Sequence, residues 1–107
     1  IAYIATRMSS LKIHIPHKLS EEEALGRIKT LLHKLKHDQK DKISNVKEEW
    51  AHNTGHFHFT ALGFDLSGMI KVHDGKVDIS AKMPLTVYLF KNKIKQVIED
   101  KAKEILA

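Results

Sequence analysis

The sequence predicts an α+β domain in which two helices cover one face of a curved antiparallel sheet, with the element order β-α-β-β-β-β-α. Three observations predict it: strand-like stretches that alternate apolar and polar residues, two long segments with apolar residues three or four positions apart, and turn residues between consecutive strands. Short turns join neighbouring strands in antiparallel pairs. Because each strand has one apolar face, both helices are expected to pack on the same side of the sheet.

The first strand and the first helix meet at a corner with two clear signals. Residues 11–15 alternate apolar and polar side chains until Pro16 ends the strand. Ser20 and Glu23 then form a capping box, in which the serine oxygen accepts a backbone N–H three residues on and the glutamate reaches back to the serine N–H. Apolar residues recur at helical spacing after this box, so the sequence predicts one amphipathic helix ending near His37.

Four strand-like segments follow a polar connector without a helical interruption. The Asp-Gly pair at 74–75 is the strongest hairpin turn, because glycine adopts a positive φ at little cost, and the stretch 53–55 provides another turn. Gly63 and Gly68 are the expected bend points of the curved sheet. Pro84 ends the sheet because it cannot donate to a strand ladder. The four segments are 46–51, 56–62, 64–72 and 77–83.

A second amphipathic helix is predicted at the C-terminal end, where apolar residues recur at steps of three and four from Phe90 to Leu106. Its start is ambiguous. Residues 85–89 contain β-branched and aromatic side chains that fit either a prolonged strand or a helix opening at Thr86.

Length and composition indicate one domain and limit the chemistry. The 107 residues suffice for a single core, and we expect residues 11–107 to form one α+β domain preceded by an N-terminal extension or an expression remnant at 1–10. The absence of cysteine excludes disulfides and thiolate nucleophiles. No apolar run approaches the length of a transmembrane helix, so a cytoplasmic protein is expected.

Several motifs together carry a resemblance to a known family. The matching stretches are the strand and corner 13–20, the helix opening 23–24, Phe57-x-Phe59, Gly63-Phe64, Leu66-Ser67-Gly68 and the segment 89–94. From about Leu11 to Ala107 the chain resembles the small bacterial family of polyhydroxyalkanoic acid system proteins, also called the polyhydroxyalkanoate granule region family. The resemblance implies an association with storage-polyester metabolism or its granules, and it implies no catalytic residues.

Eight histidines raise the question of a metal site. His56 and His58 lie on one face of a predicted strand with His52 across the adjoining turn, a geometry that could chelate zinc or copper. That face is predicted to be exposed, and no carboxylate or cysteine is matched to the imidazoles. We therefore favour ordinary surface histidines, with no metal and no cofactor. The same interpretation applies to the pairs His14/His17 and His33/His37.

Trp50, His52 and His58 are the candidate ligand-binding residues. Trp50 shares a strand face with Val46, Glu48 and His52, a mixed set that could line the rim of a cleft. It could equally cover the edge of the core with its indole N–H pointing outward. The sequence leaves both alternatives open.

No sequence motif supports an enzyme, since the chain contains no GxSxG elbow, P-loop or dinucleotide fingerprint. We expect a non-enzymatic binding protein that uses an apolar groove between sheet and helices, or an exposed apolar surface, to engage a lipid-like molecule, a granule surface or a granule protein. The sequence does not decide whether the protein forms a homodimer. The alternative is a basic nucleic-acid-binding module, suggested by the net charge of +5 and a pI near 9.5. Phe57 and Phe59 resemble a base-stacking platform, but their shared apolar face favours the core.

Overall fold

Five strands form one curved antiparallel sheet in the computed structural model, which describes residues 8–61 and 63–107. The predicted α+β class and element order are confirmed. The strands lie in the spatial order β1-β5-β4-β3-β2, so that the first and last strands of the chain pair with each other, and β1 and β2 form the two edges of the sheet. Their bounds are β1 Met8–Pro16, β2 Ile43–Ala51, β3 Thr54–Ala61, β4 Phe64–His73 and β5 Lys76–Pro84.

Four helical segments accompany the sheet: α1 Glu21–Ile28, α2 Leu31–Asp38, α3 Leu85–Tyr88 and α4 Lys91–Leu106. The hydroxyl of Ser20 accepts the backbone N–H of Glu23 at 3.2 Å and so caps α1, as the sequence predicts. The ambiguous stretch after Pro84 is the single turn α3, followed directly by the long helix α4.

The first helical segment differs from the unbroken helix that the sequence predicts, because it divides into α1 and α2. The backbone N–H of Thr30 donates to the carbonyl of Arg27 at 3.1 Å, three residues back instead of four, and the Thr30 hydroxyl donates to the same carbonyl at 2.7 Å. A side-chain hydroxyl that bonds a nearby carbonyl competes with the regular helical pattern. The second helix restarts when the N–H of Lys34 donates to the Thr30 carbonyl at 3.0 Å.

The core lies between the sheet and the helices. Alternate residues of all the central strands point to this side, and the apolar stripes of α1, α2 and α4 meet them. Phe57 and Phe59 are buried there with their ring centroids 5.9 Å apart, which confirms that they belong to the core and removes them as a base-stacking platform. The most deeply buried large side chains are Ile13, Ile15, Ile28, Leu31, Ile70, Val72, Val77 and Met83.

The turns follow the predicted chemistry with small shifts in position. Gly75 has φ +82° in the hairpin between β4 and β5, and Gly63 has φ +83° in the turn before β4. Of the two predicted bend points, Gly68 lies inside a strand, where the Phe57 ring packs directly over it. The β2–β3 turn is shorter than predicted and consists of His52 and Asn53.

The structure describes only part of the predicted N-terminal extension. The predicted extension covers residues 1–10, of which 1–7 lie outside the described residues, whereas residues 8–10 open strand β1. In the described part of the chain, every helix is too short or too polar to cross a lipid bilayer.

Gly68→Ala should strongly destabilise the fold. An added Cβ would collide with the carbonyl oxygen of Ser80 and would lie 2.6 Å from Cζ of Phe57. We expect the free energy of unfolding to fall by roughly 1–3 kcal/mol, the usual effect of overpacking a core. The measurement is urea denaturation.

The matched control is Gly26→Ala in α1, where an added Cβ meets nothing within 4 Å. This change should raise the free energy of unfolding by about 0.5–1 kcal/mol, because alanine favours a helix over glycine. Equal stability of the two variants would contradict the packing described here.

Candidate functional site

An apolar cleft of about 520 Å³ opens at one end of the sheet, on the face that the helices cover. The sheet forms its floor, α3 and the first half of α4 form one wall, and the end of α2 with the following turn forms the other. Side chains that line it include Leu35, Ile43, Phe59, Ala61, Phe64, Leu66, Val87, Phe90, Ile94, Val97 and Ile98.

The cleft exists because α4 packs closely against the rest of the protein only along its second half. Ala102, Ile105 and Leu106 are buried, whereas Ile94 and Val97 in the first half are only half-buried and face the cleft. The guanidinium of Arg27 in α1 fixes the buried end, donating to the carbonyl oxygens of residue 107 at 2.7 Å and residue 105 at 3.5 Å. The C-terminal end of α4 is thus held against α1, whereas its first half lies over the apolar cleft.

An ion pair joins the two helical walls behind the cleft. Lys101 of α4 contacts the carboxylate of Asp38 at the end of α2 and also that of Glu104, at 3.0 Å. The hydrogen bond from Lys101 lowers the pKa of Asp38, and a smaller contribution comes from His37. The same bond from Asp38, followed by Glu104, raises the pKa of Lys101. This pair helps to set the distance between α2 and α4.

Polar groups lie at a few positions of the cleft lining. They are Gln39, Lys42, Thr86 and Lys93, and none of the lining residues among 8–61 and 63–107 carries a carboxylate or an imidazole. Both lysines are exposed, and the exposed rings of Phe64 and Phe90 also line the cleft, so these side chains mark its mouth. The interior is apolar, and the charge at the mouth is positive.

Trp50 lies outside this cleft, on the core side of the edge strand β2. Its ring covers Gly55 on the neighbouring strand, and its Nε1–H donates to the Glu48 carboxylate at 3.2 Å. The Nζ of Lys29 lies 5.7 Å from the ring centroid, a cation–π distance. Of the two alternatives that the sequence left open, the structure has the indole covering the edge of the core.

His56 and His58 are exposed on the outer face of the sheet, paired in register with Glu49 and Lys47 of β2. His52 is an exposed turn residue with φ +57°. None of these three histidines lines the cleft. Across residues 8–61 and 63–107, no three His, Asp or Glu side chains are grouped as a metal site would require.

Two other histidines make structural contacts near the corner between β1 and α1. His17 donates from Nε2 to the carbonyl of His73 at 2.9 Å and accepts the N–H of Leu19 at Nδ1, at 3.0 Å. His14 bonds Asp78 at 2.7 Å, and this contact is the main cause of a lowered pKa of the Asp78 carboxyl. These side chains fasten the end of β1 and the following corner to the neighbouring β4–β5 hairpin.

The sequence predicts an apolar groove between sheet and helices as one alternative. It does not indicate which residues line that groove. Leu66, Ile94 and Val97 have the same apolar spacing as residues that are fully buried. The one local signal was the run of large apolar residues at 85–90, which exceeds what a single helical turn can bury.

Asp38→Asn should weaken the link between α2 and α4 in a pH-dependent way. A lowered pKa in the folded state stabilises the protein above the unfolded-state value of about 3.9, and this contribution is lost as the pH falls through the folded-state pKa. The variant should therefore unfold at lower denaturant concentration than the parent at pH 7, and the difference should vanish in strong acid.

The control is the double variant of Asp38→Asn with Lys101→Met, compared with each single variant by urea denaturation. A double-mutant cycle should give a favourable coupling at pH 7 that disappears in acid. Additive effects at pH 7 would show that the ion pair contributes nothing to stability.

The comparison with protein-family models agrees with the resemblance noted in the sequence. The family model described as "Putative polyhydroxyalkanoic acid system protein" matches residues 11–106. The crystal structure of Ara h 8.0201 aligns with 94% of this chain and 99% of its own length, at 9% identity and a TM-score of 0.41. No curated protein matched. The chain belongs to the polyhydroxyalkanoic acid system protein family.

Proposed function

We propose that this protein is a non-enzymatic binding protein of the polyhydroxyalkanoate system and that it holds a lipid-like acyl chain in the cleft between α4 and the sheet. The observation that carries the proposal is the open apolar cleft of about 520 Å³. Pockets that enclose small organic ligands typically measure roughly 300–1,000 Å³. Each methylene transferred from water into such a site contributes about 0.8 kcal/mol, so a medium-length chain has sufficient driving force to bind.

The lining supports binding in preference to catalysis. The lining residues that the structure describes include no carboxylate or imidazole, the sequence contains no cysteine, and the Thr86 hydroxyl has no base beside it among those lining residues. General acid–base and nucleophilic catalysis both need such groups within hydrogen-bond reach of the reacting atom. The side chains present can enclose and orient a chain.

The mouth of the cleft favours an occupant with an anionic end. Lys42 and Lys93 are its charged lining residues, and neither takes part in an ion pair within the described part of the chain. A carboxylate there would gain charge-assisted hydrogen bonds while its chain stays in the apolar interior. Fatty acids and hydroxy fatty acids have this chemistry.

Family membership supports the setting of the proposal. Hydroxyacyl chains are the building units of a storage polyester, so 3-hydroxydecanoate and decanoate are the first probes to use. We further propose a cytoplasmic location at or near the polyester granule. A fluorescent fusion that stays evenly distributed in granule-containing cells would contradict the granule association.

The nucleic-acid alternative has less structural support. Phe57 and Phe59 are buried, and the basic outer face of the sheet is interrupted by Glu49, Asp65 and Asp78. Net charge remains the motivation for that alternative. It predicts a mobility shift of RNA or DNA at low salt.

Val97→Phe should block ligand binding. Val97 is a half-buried residue of α4 that faces the cleft, so a phenyl ring there fills the space that a chain would occupy. We expect the Kd for decanoate, measured by isothermal titration calorimetry, to rise at least tenfold.

The matched control is Gln96→Phe, the same new side chain on the exposed neighbouring position of α4. Its affinity for decanoate should equal that of the parent. Equal binding by both variants would place the ligand elsewhere, and failure of the parent protein to bind decanoate or 3-hydroxydecanoate would refute the proposal.

Replacing both Lys42 and Lys93 by Gln should remove a preference for the acid over the alcohol. We expect the parent to bind decanoate more tightly than 1-decanol, and the double variant to lose roughly three- to tenfold in affinity for decanoate alone, since exposed charge pairs contribute up to about 1 kcal/mol each. The control replaces Lys34 and Lys36, exposed lysines of α2 outside the cleft, by Gln. An equal loss for decanol would contradict a head-group role.

A further inference from the structure

Four large apolar side chains are exposed on the segments that form the mouth of the cleft. Leu89 is 78% exposed and Phe90 is 67% exposed, followed by Phe64 at 41% and Leu85 at 40%. Three of them belong to the single segment 85–90, and Phe64 and Phe90 also line the cleft. We call these four residues the rim patch. Contiguous exposed apolar surface of this kind marks an interaction site more often than isolated apolar side chains do.

Uncompensated positive charge surrounds the rim patch. The stretch 85–98 contains three lysines and no acidic residue. Lys95 pairs with Glu99 at 3.8 Å, whereas Lys91 and Lys93 form no ion pair with any described residue. The Nζ of Lys91 lies 4.8 Å from the ring centroid of Tyr88, which holds this charge close to α3.

The nearest acidic residues in sequence to the mouth are Asp41 and Asp65. Asp65 accepts a hydrogen bond from the Thr60 hydroxyl at 3.1 Å on β3. Asp41 follows α2 in the turn that also carries Lys40 and Lys42, so the turn remains net positive. The surface around the mouth is therefore apolar at its centre and cationic at its edge.

We propose that the rim patch docks on the surface of an anionic lipid layer, with the mouth of the cleft facing the lipid. Apolar side chains that enter the acyl boundary and lysines that remain at the headgroups are the combination by which proteins bind such surfaces. The inference goes beyond the proposed ligand, because it concerns the surface that the mouth of the cleft contacts and not the molecule inside the cleft. It also gives an amphiphile a route from the layer into the cleft without crossing water.

Charge favours this partner over two others. A two-fold dimer through the rim patch would place Lys91 and Lys93 of one copy close to the same residues of the other copy, a repulsive arrangement. A bare polyester surface carries no charge and would offer these lysines no anionic partner. An anionic lipid layer satisfies both the apolar centre and the cationic edge.

The test is flotation of the full chain with phosphatidylcholine vesicles that contain roughly one-third phosphatidylglycerol, and with vesicles of phosphatidylcholine alone. The parent should bind the anionic vesicles and lose binding as salt is added. Replacing Leu89 and Phe90 by Ser should lower the affinity at least tenfold, and replacing Lys91 and Lys93 by Gln should lower it by roughly fivefold per lysine.

Matched controls use the outer face of the sheet. Met69→Ser removes an exposed apolar residue, 37% exposed, that is outside the rim patch, and the pair Lys12→Gln and Lys71→Gln removes two exposed lysines. Both should bind vesicles as the parent does. Because all the changed side chains are exposed, circular dichroism should show a native fold in each variant.

Four results would overturn the inference. The first two are no binding to the anionic vesicles and equal binding to neutral and anionic vesicles. The third is binding to lipid-free polyester particles without binding to vesicles, and the fourth is a dimer, seen by light scattering in a protein that does not bind vesicles, that the Leu89 and Phe90 changes abolish. The decanoate titration is independent of vesicles. Decanoate binding without vesicle binding would refute only the docking surface, and the reverse result would refute only the cleft ligand.

Discussion

The structure depends on one constraint, which is that the apolar face of the five-stranded sheet must be covered by helices too few and too short to cover all of it. Every strand presents alternate apolar side chains to the same side, and α1, α2 and the second half of α4 bury most of them. Among the described residues, the cover is least complete at the end of the sheet around Ile43, Ala61 and Phe64, which are half-buried or exposed, and the cleft opens there. An apolar surface left in contact with water costs free energy, so this end of the protein has a physical reason to bind an apolar partner.

Local interactions decide where the uncovered end lies. Thr30 interrupts the first helical segment, so α2 is a separate helix, and it packs against the edge strand β2. Arg27 ties the last turn of α4 to α1, and the Asp38–Lys101 pair joins α2 to the middle of α4. The first half of α4, together with α3, then becomes a wall over the open end of the sheet. The site is thus a consequence of how the covering layer is anchored.

Much of the fold could be predicted from the sequence because alternation and capping are local signals. The alternation at 11–15, the Ser20 cap and the turn at Gly75 all specify structure within a few residues. The break at Thr30 could not be predicted in this way, since threonine is tolerated inside helices and only its hydrogen bond to Arg27 divides the segment.

The site was harder to predict than the fold. The residues chosen for their chemistry, Trp50, His52 and His58, lie at the core edge, in a turn and on the outer face. Val97 lines the cleft and Ile105 is buried, yet both occupy the same apolar stripe of α4, and only tertiary packing distinguishes them. A cleft lined by aliphatic side chains therefore has the sequence pattern of a core. The most direct test of the cleft as a ligand site is an NMR titration of the isotope-labelled protein with decanoate. We predict saturable shifts of the backbone amides of Leu66, Ile94 and Val97, and shifts confined to His56 and His58, or none that saturate, would contradict the account.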